Sequence, residues 1–305
     1  MMLDEISNII KYKKIELKKN RYSEYIYNKV KEYPNIEVIN MIYKSDKLKI
    51  HGFISKKKNL KKKVPVVIYC RGGNNININK KTGRKLGELI PLSIFFSLSN
   101  LVNDGKIILF ASNYRGSSLS EGKDEFGGND INDIINLYPI IKKYKYSDEK
   151  NICLYGWSRG CSMVMNVHKK VKWIKCIILG AGNYNYFLEK KFRPKMYKML
   201  KTSFSLSEED LKKRSAIYWI DKLKKNVPIL ILHGSADWRV SVDNAYLLGQ
   251  ALQKNKIPYK LVIYPGGDHG LLEYKKEVAL EKNNFLESYL LDNKQKYINL
   301  DNHGN

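Results

Sequence analysis

From residue 64 onward, short continuous apolar runs alternate with longer segments that have helical spacing. Continuous runs of about four to eight apolar residues are typical of strands covered on both faces. The predicted strands are 64–70, 106–111, 151–154, 175–179, 228–232 and 259–264. The predicted helices are roughly 91–102, 126–143 (kinked or shortened at Pro139), 163–168, 242–255 and 273–291. This alternation predicts an α/β protein with a mostly parallel central sheet and helices on both faces.

The remaining segments have other patterns. Residues 1–35 mix Ile, Leu and Tyr with Lys and Glu at loosely helical spacing, which predicts a helical N-terminal arm. Two strands, 37–43 and 48–55, are predicted around a polar turn. The segment 181–226 is irregular, aromatic and basic, and we expect it to form a small cap over a pocket. Its aromatic residues could contribute to that pocket or only pack within the cap, and they are Tyr184, Tyr186, Phe187, Phe192 and Tyr197. Residues 292–305 form a polar C-terminal tail.

Composition narrows the class of protein. The apolar share of 43% and the charged share of 28% are those of a globular protein. No run of about 18 apolar residues occurs, so we expect no membrane span. The start lacks a basic region followed by an apolar one, so we expect no secretory signal and a cytoplasmic protein. The four cysteines lie in or beside apolar runs without C-x-x-C spacing, which favours reduced core thiols.

The net charge of +25 raises the question of a polyanionic partner. The lysines are dispersed along the chain, apart from the triplets 56–58 and 61–63, which flank a connection between strands. Lys, Asn, Ile and Tyr are enriched together, as an AT-rich coding sequence would produce. We therefore interpret the charge as solvated surface and expect no nucleic-acid partner. The sequence does not indicate an oligomeric state.

A candidate nucleophile lies between a predicted strand and a predicted helix, in Gly156-Trp157-Ser158-Arg159-Gly160. A G-x-S-x-G serine in this context is typical of a nucleophile on a sharp, strained turn. The two glycines prevent the collisions that side chains would cause there. The turn also directs the first N–H groups of the next helix at bound substrate. Ser158 is therefore the candidate nucleophile.

A serine nucleophile needs a histidine base and a carboxylate that orients the base. In α/β sheets such groups come from loops at the carboxyl ends of strands. His269 follows the last predicted strand in a glycine-flanked loop and is the candidate base. Asp237 follows the preceding strand and is favoured as the acid over Asp243, which opens a helix, and Asp268, which adjoins the base. We expect His233 to brace the acid loop.

An oxyanion hole requires N–H donors near the serine. One expected donor is the backbone N–H of Arg159, the residue after the candidate nucleophile. The other candidates are Gly72 and Gly73, which follow the 64–70 strand and permit close backbone approach to substrate. The alternative is that this glycine pair only makes a turn.

Five sequence motifs occur in order along the chain. They are Asn113-Tyr114-Arg115-Gly116-Ser117, Gly127-Gly128-Asn129-Asp130 with Asp133, Gly156-Trp157-Ser158-Arg159-Gly160, His233-Gly234-Ser235-Ala236-Asp237-Trp238-Arg239-Val240 and Gly267-Asp268-His269-Gly270. Together they resemble the prolyl oligopeptidase family of α/β-hydrolases over roughly residues 36–291. The resemblance implies a catalytic domain over 36–291, a triad of Ser158, Asp237 and His269, and hydrolysis of peptide or ester bonds without metal or cofactor. It also implies that Asp130 and Asp133 secure the start of a helix.

Two features depart from the family pattern. Only about 35 residues precede the hydrolase domain, whereas family peptidases usually carry a large N-terminal β-propeller. Peptidase members also commonly place a tyrosine in the oxyanion loop, where this chain has Arg71, with Tyr69 two residues earlier. Arg71 could bind a substrate carboxylate or support the loop, and both interpretations stay open. Tyr114 is a further candidate substrate contact.

These observations predict a serine hydrolase that acts on small peptide or aminoacyl substrates. The alternative is a carboxylesterase or deacetylase on the same fold, which the altered oxyanion loop favours. A non-catalytic protein that binds a polyanion is a third hypothesis.

Overall fold

The computed structural model describes residues 1–17, 23–75, 89–117 and 119–292. Within these ranges nine strands form a single sheet. The strands are β1 Ile9–Ile15, β2 Ile36–Ser45, β3 Leu48–Lys57, β4 Val64–Cys70, β5 Ile108–Ser112, β6 Ser147–Trp157, β7 Ile174–Gly180, β8 Ile229–Gly234 and β9 Tyr259–Tyr264. Their order is β1-β2-β3-β5-β4-β6-β7-β8-β9. In this order the pairs β1–β2, β2–β3 and β3–β5 are antiparallel. The five pairs that follow, from β5–β4 to β8–β9, are parallel. The carboxyl ends of β4, β6, β8 and β9 therefore lie at one edge of the sheet.

Helices cover both faces of this sheet. They are α1 Glu24–Lys31, α2 Pro91–Phe96, α3 Ser99–Asn103, α4 Asn132–Ile135, α5 Tyr138–Lys143, α6 Arg159–Lys170, α7 Glu189–Phe192, α8 Pro194–Thr202, α9 Glu208–Arg214, α10 Asp243–Lys254 and α11 Lys275–Leu286. In β4, Val66 and Ile68 join the core formed with α5, α6 and α10, whereas Val67 joins the core formed with α2, α3 and α11. Alternate residues of one apolar run thus feed two separate cores, as expected for a strand covered on both faces.

The prediction of a helical N-terminal arm is wrong for part of its length. Ile9–Ile15 forms strand β1, which pairs antiparallel with β2 from Ile9 opposite Tyr43 to Ile15 opposite Val38. Within the described part of the arm only α1 is an α-helix, and Ser23 caps it by accepting the Ile26 N–H. Most β1 side chains are exposed, so no apolar alternation marks the strand in the sequence, and pairing with β2 decides its structure. Residues 18–22 of the predicted arm lie outside the described residues.

Several predicted helices are interrupted. The 91–102 helix is two short helices, α2 and α3, separated by Leu98, which has a left-handed φ of 52°. The 126–143 helix is reduced to α4 and α5, and Pro139 occupies the first turn of α5, where a missing N–H costs nothing. The last predicted helix is α11 followed by a π-helical turn, Glu287–Leu291. Of the predicted tail, all but Asp292 lies outside the described residues.

The segment between β7 and β8 contains helices α7, α8 and α9, so it is more regular than expected. Together with the 126 loop it forms a small separate hydrophobic core, which consists of Phe126, Tyr186, Leu200, Leu206 and Leu211. This core holds the segment beside the carboxyl edge of the sheet.

Other composition-based predictions can be compared with the structure. The four cysteines are buried free thiols, as predicted. The lysine triplets flank the β3–β4 connection, but Lys56 is buried and pairs with Glu37, so it is not solvated surface. Within the described ranges, no helix combines the length and the apolar character needed to cross a bilayer.

Candidate active site

Ser158 occupies the turn between β6 and α6 in a strained conformation, with φ 56° and ψ −126°. Glycine is required on both sides of this turn because the backbones approach closely. A Cβ at Gly160 would lie 1.9 Å from the carbonyl oxygen of Cys70 at the end of β4. A Cβ at Gly156 would lie 2.6 Å from the carbonyl oxygen of Gly160. These contacts agree with the prediction that the glycines relieve collisions, and they press the serine turn against β4.

The structure brings His269 and Asp237 together from loops after β9 and β8. The Nδ1 atom of His269 lies 2.7 Å from Oδ2 of Asp237. The other carboxylate oxygen, Oδ1, accepts the backbone N–H groups of Arg239 and Val240 at 2.8 and 2.9 Å. The carboxylate is therefore fixed by its own loop, and it selects the tautomer of His269 in which Nδ1 carries the proton.

His233 braces the same carboxylate, as the sequence suggested. Its Nε2 lies 3.0 Å from the carbonyl oxygen of Val240 and 3.2 Å from Oδ2 of Asp237, and the ring is completely buried. Burial alone would raise the pKa of the Asp237 carboxyl, but the hydrogen bonds from His233 and His269 outweigh it and hold that pKa well below its ordinary value. Asp237 is thus ionised at neutral pH.

The two rival carboxylates have other partners. Oδ1 of Asp268 accepts the backbone N–H groups of Gly270 and Leu271 at 2.7 and 2.8 Å, so it closes the turn that carries His269. Asp243 begins helix α10 and its Oδ2 accepts the Ser241 hydroxyl at 2.8 Å. These contacts agree with the preference for Asp237 as the acid over Asp268 and Asp243.

The candidate oxyanion loop lies directly against the serine turn. A Cβ at Gly72 would lie 2.9 Å from Cβ of Ser158 and 3.1 Å from the carbonyl oxygen of Trp157. Gly73 has φ 69°, a left-handed conformation that favours glycine. The N–H of Arg159 begins helix α6, so it has no acceptor within the helix. Gly72 and Arg159 therefore adjoin Ser158, and Gly73 lines the same cavity.

Arg71 and Tyr114 lie beneath this loop and outside the cavity wall, so the expectation that they contact substrate is corrected. The Arg71 guanidinium is 1% exposed and donates to Asn113 O at 2.6 Å, Asn75 Oδ1 at 2.9 Å and Gly72 O at 3.0 Å. It also stacks on the Tyr114 ring, 4.4 Å from its centroid. Of the two interpretations of Arg71, the contacts favour loop support.

Ser158 and His269 line a cavity of about 500 Å³. Its other walls come from Arg159, the 73–74 loop, Phe126, the 238–240 loop and the cap segment. The cap residues in the wall are Asn183, Tyr186, Glu189, Arg193, Lys195, Met196 and Met199. Of the five aromatic cap residues for which pocket lining and packing stayed open, only Tyr186 lines the cavity. Tyr184 is buried in the main core, while Phe187 and Tyr197 pack on the small cap core.

Sequence reasoning assigned Arg159 only a backbone role and missed its side chain. The guanidinium is buried and forms ion pairs with Asp124 and Asp130. Asp130 also accepts the N–H of Gly127 at 2.9 Å, in agreement with its expected structural role. No sequence pattern indicated a role for Asp124, because it lies in a loop without hydrophobic periodicity.

Among the described residues, no three His, Cys, Asp or Glu side chains converge as a metal site would require.

Comparison with known proteins assigns the family. The prolyl oligopeptidase family matches this chain over residues 94–293. The chain belongs to the prolyl oligopeptidase family. This confirms the family indicated by the five motifs.

The uncharacterized peptidase YtmA of Bacillus subtilis is 24% identical over 182 residues, which cover 55% of this chain and 70% of YtmA. Dipeptidyl-peptidase 5 of Porphyromonas endodontalis is 22% identical over 240 residues, which cover 73% of this chain but 33% of that protein. The chain therefore spans most of YtmA and about a third of dipeptidyl-peptidase 5.

Solved structures confirm the predicted fold class. The acylaminoacyl peptidase of Pyrococcus horikoshii matches with a TM-score of 0.73 at 18% identity, over 92% of this chain and 46% of that one. A dipeptidyl peptidase 4 from Porphyromonas gingivalis matches with a TM-score of 0.68 at 20% identity, over 87% of this chain and 37% of that one. At these identities the likeness establishes a shared α/β-hydrolase fold.

Proposed function

We propose that this protein is a serine peptidase that hydrolyses small peptide or aminoacyl substrates through a triad of Ser158, His269 and Asp237. One arrangement carries the proposal. Ser158 lies on a strained turn and lines the same cavity as His269, whose ring is oriented by Asp237. A buried, ionised carboxylate that fixes a histidine in the wall of the same cavity as a half-buried serine is the arrangement that activates a hydroxyl for acyl transfer.

In the first half of the proposed reaction, Oγ of Ser158 attacks the carbonyl carbon of the substrate while Nε2 of His269 takes the hydroxyl proton. Asp237 stabilises the imidazolium that forms. The carbonyl oxygen becomes an oxyanion and accepts hydrogen bonds from the backbone N–H of Arg159 and from Gly72 or Gly73. Collapse of the tetrahedral intermediate breaks the bond to the amine, which leaves with the proton held by His269.

In the second half, water attacks the acyl-enzyme. His269 takes a proton from the water, the same N–H groups stabilise the second oxyanion, and Ser158 is released with its proton restored. The scheme balances with the substrate and one water as the only reactants. We therefore expect turnover to persist after dialysis against a chelator, and loss of activity on chelation would contradict the scheme.

Labelling with an active-site fluorophosphonate tests the proposal directly. The reagent should attach to Ser158, and intact-protein and peptide mass spectrometry would locate it. Ser158→Ala should remove the label and lower kcat by at least about 10⁴-fold. Ser162→Ala is a matched control, because Ser162 lies one helical turn away, is buried and donates to Arg159 O at 3.0 Å. Absence of labelling on folded wild-type protein would reject the proposal.

A second candidate function is a carboxylesterase or deacetylase on the same site. The observation in its favour is the oxyanion loop, where the side chain at position 71 is a buried arginine and Tyr69 instead packs against Tyr155. This loop therefore has no tyrosine hydroxyl that could donate a hydrogen bond to the oxyanion. Aminoacyl nitroanilides and short-chain nitrophenyl esters separate the two functions. Turnover of esters alone would favour the esterase.

A further inference from the structure

The side chain of Arg159 joins the serine turn to the oxyanion loop. Its Nη1 donates to the carbonyl oxygen of Gly73 at 3.0 Å and to Oδ2 of Asp124 at 2.9 Å. Its Nη2 donates to Oδ1 of Asp124 at 2.6 Å and also to Asp130. The guanidinium therefore contacts the loop after β4 while its own backbone begins helix α6, next to Ser158.

Asp124 holds the same loop at a second point. Its Oδ2 accepts the backbone N–H of Asn75 at 2.6 Å, and its Oδ1 accepts the N–H of Phe126 at 3.0 Å. The Gly73 carbonyl and the Asn75 N–H are thus tied to a single Arg159–Asp124 ion pair. These two tied groups directly follow the φ torsion of Gly73, which is 69°, where glycine would otherwise allow many conformations.

The Arg159–Asp124 ion pair is buried. The side chains of Arg159 and Asp124 are each 3% exposed, and that of Asp130 is fully buried. Burial would raise the pKa of the Asp124 carboxyl, but the Arg159 charge and its hydrogen bonds lower it. Since two carboxylates neutralise the guanidinium, Arg159 presents no free charge to substrate. Its side chain acts on the loop.

We propose that Arg159 and Asp124 are positioning residues that hold Gly72 and Gly73 in the oxyanion-hole geometry beside Ser158. The proposal rests on the proposed function, because an oxyanion hole presupposes attack by Ser158. It assigns two separate roles to one residue: the backbone N–H of Arg159 binds the oxyanion, and its side chain orders the opposing donors. Preorganised donors are effective only when they are already in place as charge develops.

The test variant is the double substitution Arg159→Met with Asp124→Asn. It keeps the backbone N–H of Arg159 and avoids leaving the Asp124 charge buried without its partner, which would destabilise the protein strongly. The Asp130 carboxyl also loses Arg159, but burial already raises its pKa, so it can take up a proton instead of staying charged. We expect kcat to fall about 100-fold, as on loss of an oxyanion donor, with KM within about threefold of wild type. The affinity of a peptidyl trifluoromethyl ketone, which forms a tetrahedral adduct, should fall in parallel with kcat.

The matched control is Arg115→Met with Asp133→Asn. Arg115 and Asp133 form a buried ion pair with contacts of 2.8 and 3.1 Å, but this pair does not contact the loop carbonyl of Gly73. A comparable loss of melting temperature with kcat within about threefold of wild type is expected. If the control loses kcat as severely, general destabilisation explains the effect and the proposal is overturned.

Amide hydrogen exchange of the 71–75 segment gives a readout that needs no activity. Exchange should accelerate at least about tenfold in the Arg159/Asp124 variant and stay at the wild-type rate in the control. Unchanged exchange, or unchanged kcat, overturns the proposal. If wild type neither labels nor turns over substrate while the loop still loosens, the ordering role stands and the proposed function fails.

Discussion

The indole N–H of Trp157 donates a hydrogen bond to the main-chain oxygen of His269, with 3.2 Å between the two heavy atoms. Trp157 immediately precedes the candidate nucleophile, so this bond joins the serine turn to the loop that carries the candidate base. The ring is also held against Gly180, where a Cβ would lie 2.1 Å from Trp157 Cε3. A general base must stay within hydrogen-bonding reach of the proton it takes. We infer that Trp157 helps to set that separation.

Replacing Trp157 with Phe should keep most of the ring packing and remove the N–H donor. A lost hydrogen bond is worth about 0.5–1.5 kcal/mol, and the upper end of this range corresponds to roughly a tenfold loss if it is expressed in the positioning of the base. We expect kcat to fall about tenfold and KM to stay within about threefold. Steady-state kinetics on one nitrophenyl ester would measure both.

Trp219→Phe is the control for this change. Trp219 is buried and its indole N–H donates to Lys213 O at 3.0 Å, in the cap segment. The Trp219→Phe variant should lower the melting temperature about as much as Trp157→Phe does, while leaving kcat nearly unchanged. Equal kcat losses in both variants would mean that the Trp157 bond has no specific role.

Gly160 is the position where the serine turn tolerates least change. Alanine there places its Cβ 1.9 Å from the Cys70 carbonyl oxygen, and neither backbone can yield without moving β4 or α6. We expect Gly160→Ala to lower the free energy of unfolding by about 3 kcal/mol or more. Gly249→Ala is the control, because its Cβ would be no closer than 3.4 Å to Leu261 and Tyr259, and it should change stability by less than about 1 kcal/mol. Urea unfolding curves with similar midpoints for the two variants would contradict this account.

Much of the fold could be predicted because its strands are continuous apolar runs. The runs at 64–70 and 259–264 coincide with β4 and β9, and a parallel sheet then follows from the intervening helices. Strand β1 could not be predicted, because it is an edge strand whose exposed Lys and Tyr side chains give no period. The break at Leu98 was also invisible, since a left-handed leucine depends on packing, to which local sequence gives no clue.

The candidate triad could be predicted because each of its residues follows a strand whose position the sequence defines. Topology alone then brings those strand ends to one edge of the sheet. The Arg159–Asp124 pair could not be predicted in this way. Asp124 lies in an irregular loop 35 residues from its partner, and only the folded loop brings the two side chains together. The buried position of Arg71 was likewise hidden, because an arginine beside glycines is compatible with both substrate binding and loop support.

Arg71 should affect stability without affecting the preference for charged substrates. Arg71→Met removes donors to three oxygen atoms, and we expect the free energy of unfolding to fall by about 2–3 kcal/mol. The ratio of kcat/KM between a substrate with a free carboxylate and its amide should stay within about twofold of wild type. Arg239→Met, which alters a charge in the cavity wall, is the comparison variant and should shift that ratio. A selective loss of carboxylate substrates in Arg71→Met would restore the substrate-binding role.

Glu189 provides a prediction about pH. Its side chain is 1% exposed, Oε1 accepts the Asn183 side-chain N–H at 2.7 Å, and Oε2 has no hydrogen-bond partner among the described residues. Burial raises the pKa of this carboxyl from its ordinary 4.5 to about 7; Arg193 partly offsets the shift, and Asp237 adds to it. Between these two values the folded protein binds more protons than the unfolded chain. The free energy of unfolding must therefore decrease as the pH rises through this window.

Glu189→Gln removes the titrating group while keeping an oxygen that can accept from Asn183. Relative to wild type, the variant should gain about 1–3 kcal/mol of stability as the pH is raised from about 5 to about 8. Urea unfolding at intervals across that range would measure the difference. Glu209→Gln, at an exposed position of α9, is the control and should run parallel to wild type. The difference in the free energy of unfolding between Glu189→Gln and wild type could instead be the same at both ends of the pH range. The Glu189 carboxyl would then not titrate in that range, and its burial would be compensated by a donor that the described contacts do not include.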